Sequence, residues 1–193
     1  MAQRTRGLFG GTFDPPHLGH VAAARAAVAS LGLDELVVTV ARDPQLKPDT
    51  PTAPAAARYE MALAAFEGLD KVRLSDIELR RDGPTYTVDT VTELLDEDSG
   101  ATLFLVVGAD AASTLASWHR AGELAGLVTV AVVPRPGPSA AAPPGFRVVE
   151  VAMEPVDLSS TGIRAALGRG EDPAGLVPER VVPLVLANRL YSR

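Results

Sequence analysis

The sequence predicts a doubly wound α/β fold: a Rossmann-like parallel sheet with helices on both faces, forming one domain over residues 1–193. Two observations predict it. Short apolar, β-branched runs alternate along the chain with segments of helical period, and helices used as spacers imply parallel crossovers. The strand runs also lack in–out alternation, the mark of strands buried on both faces. In chain order, strands are expected at Arg6–Gly10, Leu36–Ala41, Val72–Leu74, Leu103–Val107, Val128–Val133 and Arg147–Val151. Helices are expected between them at His17–Ser30, Ala55–Phe66, Val88–Asp96, Ala111–Leu115 and Ile163–Leu167, with a last one at Pro178–Leu190. Two proline-rich stretches break the pattern. Asp43–Pro54, with four prolines and Lys47, follows the second strand and is read as a lid; Pro134–Gly145 is read as a surface loop.

Composition narrows the function. Apolar residues make up 47% and charged residues 22%, ordinary values for a soluble globular protein. A net charge of −6 argues against nucleic acid as the main partner, since phosphate backbones are met by basic faces. Without cysteine there is no disulfide framework, thiolate nucleophile or Cys-based zinc site. The first residues lack a signal-like apolar stretch, and Leu124–Val133 is too short to span a bilayer. The expectation is a cytoplasmic protein with no membrane partner.

The chemistry concentrates in Gly10-Gly11-Thr12-Phe13-Asp14-Pro15-Pro16-His17-Leu18-Gly19-His20. This run leaves the first strand and opens the first helix. Its glycines allow sharp bends and close approach to a ligand, and its prolines suit a helix start. His17 and His20, three residues apart, should share a face. Unpaired N–H groups and the helix dipole make that end an anion site, and two imidazoles added to it suit a polyphosphate. There is no G-x-x-x-x-G-K-[ST], and no G-x-G-x-x-G follows the first strand. A second anion site is read at Asp157–Arg164, where Ser159, Ser160 and Thr161 precede a helix as capping residues. Arg164 then falls in the first turn, where the dipole disfavours a cation unless an anion is bound.

Gly10–His20 resembles the signature of the nucleotidyltransferases that share a fold with class I aminoacyl-tRNA synthetases. Within that superfamily the chain closely resembles the bacterial nicotinate-nucleotide adenylyltransferases, over nearly its whole length. Ser159–Arg164 is similar to the superfamily's Ser-Ser-Thr-x-x-Arg element, and Ser75–Thr90 to the stretch that marks its pyridine-nucleotide branch. The family's lid usually reads Pro-Pro-His followed by Lys or Arg. Here Pro44-Gln45-Leu46-Lys47 keeps the cation and lacks the histidine.

The resemblance implies transfer of AMP from ATP to nicotinate mononucleotide, giving nicotinate adenine dinucleotide and pyrophosphate. It implies catalytic roles for His17, His20, Lys47 and Arg164 around the phosphates, with Gly10, Gly11, Thr12, Phe13, Gly108, Asp110, Ser159, Ser160 and Thr161 binding ATP. Thr87 would meet the acceptor's carboxylate and Trp118 would stack on its ring. Mg²⁺ would arrive with ATP, without a protein ligand. Nicotinamide mononucleotide and phosphopantetheine stay open as alternative acceptors, as does a catalytically silent nucleotide-binding paralogue. Thr85–Thr90 and Trp118 weigh against phosphopantetheine, and intact His17, His20 and Arg164 weigh against silence. A homo-oligomer is left open.

Overall fold

The computed structural model describes residues 3–43, 53–136, 143–187 and 190–191. The elements run β1 (Thr5–Gly11), α1 (Leu18–Leu31), β2 (Glu35–Val40), α2 (Ala55–Phe66), β3 (Val72–Ser75), α3 (Ile77–Arg80), α4 (Thr87–Glu97), β4 (Thr102–Gly108), α5 (Ala109–Ala112), a 3-10 turn (Leu115–Ser117), α6 (Ala121–Leu127), β5 (Thr129–Val133), β6 (Arg147–Glu150), α7 (Ser160–Gly168) and α8 (Val182–Ala187). All six strands pair in parallel in the order β3-β2-β1-β4-β5-β6. The chain winds outward from β1 in one direction and from β4 in the other. The crevice where strand order reverses therefore lies beyond the carboxyl ends of β1 and β4, where this architecture binds ligands.

Successive side chains of each strand enter opposite layers, and both layers are apolar. Phe9, Val38, Val40 and Val106 pack with Ala23, Ala24 and Ala27 of α1, Met61 and Ala62 of α2, and Ile163 and Leu167 of α7. Leu8, Val37, Leu105 and Val107 pack with Val88, Val91 and Leu94 of α4 and Leu124 of α6. Alanine on the buried face of α1 lets that helix lie close to the sheet. Gly32 ends it in the left-handed region, with φ 62°, which favours glycine.

Several elements differ from expectation. The segment after β3, for which no element was expected, forms the short helix α3. α4 begins one residue before the expected Val88: Tyr86 holds the cap position, without a side-chain bond, and Thr87 is the first helical residue. The expected Ala111–Leu115 helix is divided into α5 and the 3-10 turn. The first half of the apolar stretch Leu124–Val133 belongs to α6, whose Leu124 is buried; an apolar run of that length does not separate helix from strand. The last helix starts at Val182 rather than Pro178. Residues 178–182 make i to i+3 bonds instead, and Pro183 has no N–H with which to continue an α ladder backward. No helix among the described residues is long and apolar enough to cross a membrane.

Candidate active site

Beyond Gly11 the chain turns through Phe13, which has φ 48°, and a cis Asp14–Pro15 bond. His17 then caps α1 from an extended backbone, so it lies just outside the helix. The N–H of His17 donates to His20 Nδ1 at 3.1 Å, and the two rings stack at 3.7 Å. The expected common face is thus realised as a stacked pair. Gly19 makes room for it, because a Cβ there would lie 3.0 Å from His17 Nδ1. Phe13 meets the His20 ring edge-on at 5.0 Å, and a Cβ on Gly11 would lie 2.9 Å from the Phe13 ring. These glycines are required by close packing of the rings that set the imidazoles.

Both imidazoles are held neutral. His17 is only 4% exposed, and burial, reinforced by Arg135, lowers its pKa from 6.5 to about 4. Burial, then His17 and Arg135, likewise pulls His20 well below its ordinary value. His17 Nδ1 is buried without a hydrogen-bond partner. A site that holds two imidazoles neutral beside an arginine is organised for an anion, whose charge would restore their proton affinity. The same burial fixes the sign of a stability effect. Between pH 6.5 and 4 the unfolded chain binds more protons at position 17 than the folded one, so stability falls as pH drops through that window. His17 alone should contribute a loss of about 3 kcal/mol across it. Urea unfolding at pH 7 and pH 4.5 checks this. The pH dependence should shrink in His17→Gln, and an unchanged slope would contradict it.

The second predicted anion site joins the first. Ser159 caps α7 by accepting from Gly162 N at 3.1 Å. Ser160 Oγ donates to the Pro15 carbonyl at 2.9 Å, and Arg164 Nη1 donates to the Asp14 carbonyl at 2.8 Å. Arg164 lies just past the first turn of α7 rather than within it, and its Nη2 donates to Thr161 Oγ1 at 3.3 Å. Helix starts from the two ends of the chain thereby share one cavity of about 590 Å³. Its lining includes His17, His20, Arg164 and the Ser159–Thr161 run, with Phe13 and Asp110.

A second cavity of about 580 Å³ lies beside it, lined by Thr87, Trp118, Tyr86 and His119 among others. Gly10, Thr12, Gly108 and Ala111 line both, so the two meet at the ends of β1 and β4, over the strand-order reversal. Gly11 lines only the second cavity. Trp118 Nε1 donates to Thr114 Oγ1 at 3.1 Å, leaving the indole face to the cavity wall. Lys47, with the rest of Pro44–Thr52, lies outside the described residues.

Four contributors, Pro134, Arg135, Glu78 and Arg58, were not predicted. Pro134 and Arg135 line the first cavity, so the stretch read as a surface loop begins inside the site. The signal was its position: it leaves β5 on the same carboxyl edge as the Gly10 loop. Arg135 Nη1 also pairs with Asp110 at 3.4 Å. Glu78, buried against the second cavity, accepts from Thr39 Oγ1 at 3.0 Å and Thr90 Oγ1 at 3.3 Å. It joins β2 to α4, and burial raises its pKa. Arg58 is 1% exposed; its guanidinium donates to the carbonyls of Thr12, Ala41, Arg42 and Ala53.

This geometry agrees with what the chain resembles among known proteins. A family model described as cytidylyltransferase-like matches residues 8–166. A probable nicotinate-nucleotide adenylyltransferase of Exiguobacterium sibiricum is 39% identical over 96% of this chain and 98% of its own. One of Thermus thermophilus is 41% identical over 96% and 98%. The fold is also that of Plasmodium falciparum nicotinic acid mononucleotide adenylyltransferase, solved with NaAD: TM-score 0.80, 17% identity, 98% of both chains covered. With the family match across most of its length and relatives this similar from end to end, the chain belongs to the cytidylyltransferase-like nucleotidyltransferases, in the branch of the nicotinate-nucleotide adenylyltransferases.

Proposed function

We propose that the protein transfers AMP from ATP to nicotinate mononucleotide, releasing pyrophosphate and forming nicotinate adenine dinucleotide. The observation that carries this is the pair of adjoining cavities, one with two helix starts and two imidazoles, the other with Trp118 and Thr87. The shared name of the relatives supports the acceptor. The nucleophile is a phosphate monoester whose second pKa is about 6, so it is largely ionised at neutral pH and needs no general base. One of its oxygens attacks the α-phosphorus as the bond to the β-phosphate breaks. Catalysis then consists of aligning two anions and meeting the charge that develops on the leaving group.

In this reading His17 and His20 donate to the α- and β-phosphates. Arg164, Ser160, Thr161 and the N-terminus of α7 hold the departing pyrophosphate, and Lys47 is assigned to the flanking phosphates. Gly10, Gly11, Thr12, Phe13 and Gly108 shape the nucleotide's path. Asp110 reaches the ribose or phosphates and sets Arg135 beside them. Nucleotidyltransferases work with a divalent ion on the triphosphate; Mg²⁺ delivered with ATP would supply that charge neutralisation here, and no side chain of this chain is assigned to hold it. Among the described residues no group of three or more histidines and carboxylates is placed to hold a metal ion.

Pyrophosphate release with ATP and a panel of acceptors tests the function. Release with nicotinate mononucleotide well above nicotinamide mononucleotide and phosphopantetheine is expected; ATP binding with no release would overturn the reading. Trp118→Ala should raise KM for the acceptor about 10–100-fold through lost ring stacking, while KM for ATP stays unchanged. An equal rise in both constants would remove Trp118 from the acceptor pocket.

A further inference from the structure

We propose that Tyr191 is a positioning residue for the triphosphate clamp, holding Asp14 by a hydrogen bond and thereby fixing the guanidinium of Arg164. This rests on the reading of the first cavity as the site of the ATP tail. Tyr191 Oη donates to Asp14 Oδ1 at 2.6 Å, across 177 positions of sequence. Asp14 is only 2% exposed, and the same Oδ1 accepts from Ala53 N at 3.1 Å. Its other oxygen, Oδ2, is buried with no hydrogen bond and faces Arg164 Nη1 at 3.7 Å. The carboxylate is therefore held back on its Oδ1 side, so that it attracts Arg164 without closing into a hydrogen-bonded pair. Arg164 spends Nη1 on the Asp14 carbonyl and Nη2 on Thr161 instead.

The packing of Tyr191 makes the arrangement a brace rather than an incidental bond. The ring of Tyr191 packs against the core cluster to which Ile163 and Leu167 of α7 belong, and its carbonyl oxygen lies close to Gly168 at the end of that helix, 3.7 Å from where a Cβ would stand, so the residue links the helix that carries Arg164 to the loop that carries Asp14. Burial and Asp14 both raise the pKa of the phenol, which keeps it a donor throughout the working range. Remove the hydroxyl, and among the described residues Oδ1 keeps only Ala53 N. Asp14 is then free to turn and engage Arg164 directly, drawing the guanidinium off the phosphates. A buried carboxylate that has lost a donor favours that exchange.

Tyr191→Phe keeps the ring and its packing, and steady-state kinetics run below the lower melting temperature read this effect. Expected are a loss of about tenfold in kcat/KM for ATP, the value of one hydrogen bond to a charged group, and an unchanged KM for the acceptor. The decisive comparison is a cycle with Arg164→Ala. If Tyr191 acts through Arg164, adding Tyr191→Phe to Arg164→Ala costs little more. If the two losses multiply, or Tyr191→Phe alone matches the wild type, the inference is overturned. If Arg164→Ala itself leaves turnover unchanged, the reading of the ATP site falls, which is a distinct result.

Discussion

His20→Ala should turn over ATP and nicotinate mononucleotide about 10²–10³-fold more slowly than the wild type, the usual cost of removing one preorganised donor from a developing charge. The structure gives that residue two tasks. Its Nδ1 accepts the His17 N–H, so the remaining ring nitrogen, Nε2, is the one left to carry the proton and donate it. It is also stacked on His17 and edge-on to Phe13, so the donor is fixed before substrate arrives. Alanine loses the donor and leaves the His17 N–H without its acceptor, a cost in stability of about 1 kcal/mol, that of a lost helix cap. The kinetic loss is larger than this and separable from it: circular dichroism should show the same fold while pyrophosphate release falls. His17→Ala should behave similarly. Turnover within a few-fold of the wild type in a folded His20→Ala protein would remove the imidazole pair from the chemistry.

Much of this site was legible in the sequence because its residues perform local tasks. Gly10–His20 is a strand end, a turn and a helix start in eleven consecutive positions, and each of those has its own residue preferences. Ser159–Arg164 is the same kind of signal. Their convergence followed from topology: a parallel, doubly wound sheet puts every strand's carboxyl end on one edge. Arg135 was missed although it stands on that edge, because the prolines after it drew the reading toward a surface loop. Glu78 and Tyr191 were missed for another reason. Each acts through a partner far away in sequence, Glu78 with Thr39 and Tyr191 with Asp14, and no local pattern marks such a pairing. The helices α3 and α6 were missed because they are short, and the start of α8 was misplaced where a proline shifted the hydrogen bonding.

Arg58 is the extreme of that second kind. In sequence it is one more charged residue in a helical stretch, where a solvated face is the ordinary expectation. In the fold it is the largest fully buried side chain, and its guanidinium draws together four carbonyls from three segments. Thr12 belongs to the loop after β1, Ala41 and Arg42 to the turn leaving β2, and Ala53 to the approach to α2. Burial lowers its pKa, and the charge of Asp14 opposes that shift. An uncharged replacement such as Arg58→Met fills much of the volume but leaves those carbonyls without a donor. A buried acceptor so abandoned costs about 1–3 kcal/mol, and water entering from the cavity would relieve some of the four. A loss of about 3–5 kcal/mol in urea unfolding free energy is therefore expected, in the range reserved for broken buried networks. Arg58→Lys keeps the charge but not the planar fork and should fall between the two. Because Thr12 is among the freed carbonyls, any folded Arg58→Met should also show a raised KM for ATP. A loss under about 1 kcal/mol would mean that the three segments hold their places without the guanidinium, and that the loop after β1 is set by the packing of Phe13 and the stacked imidazoles alone.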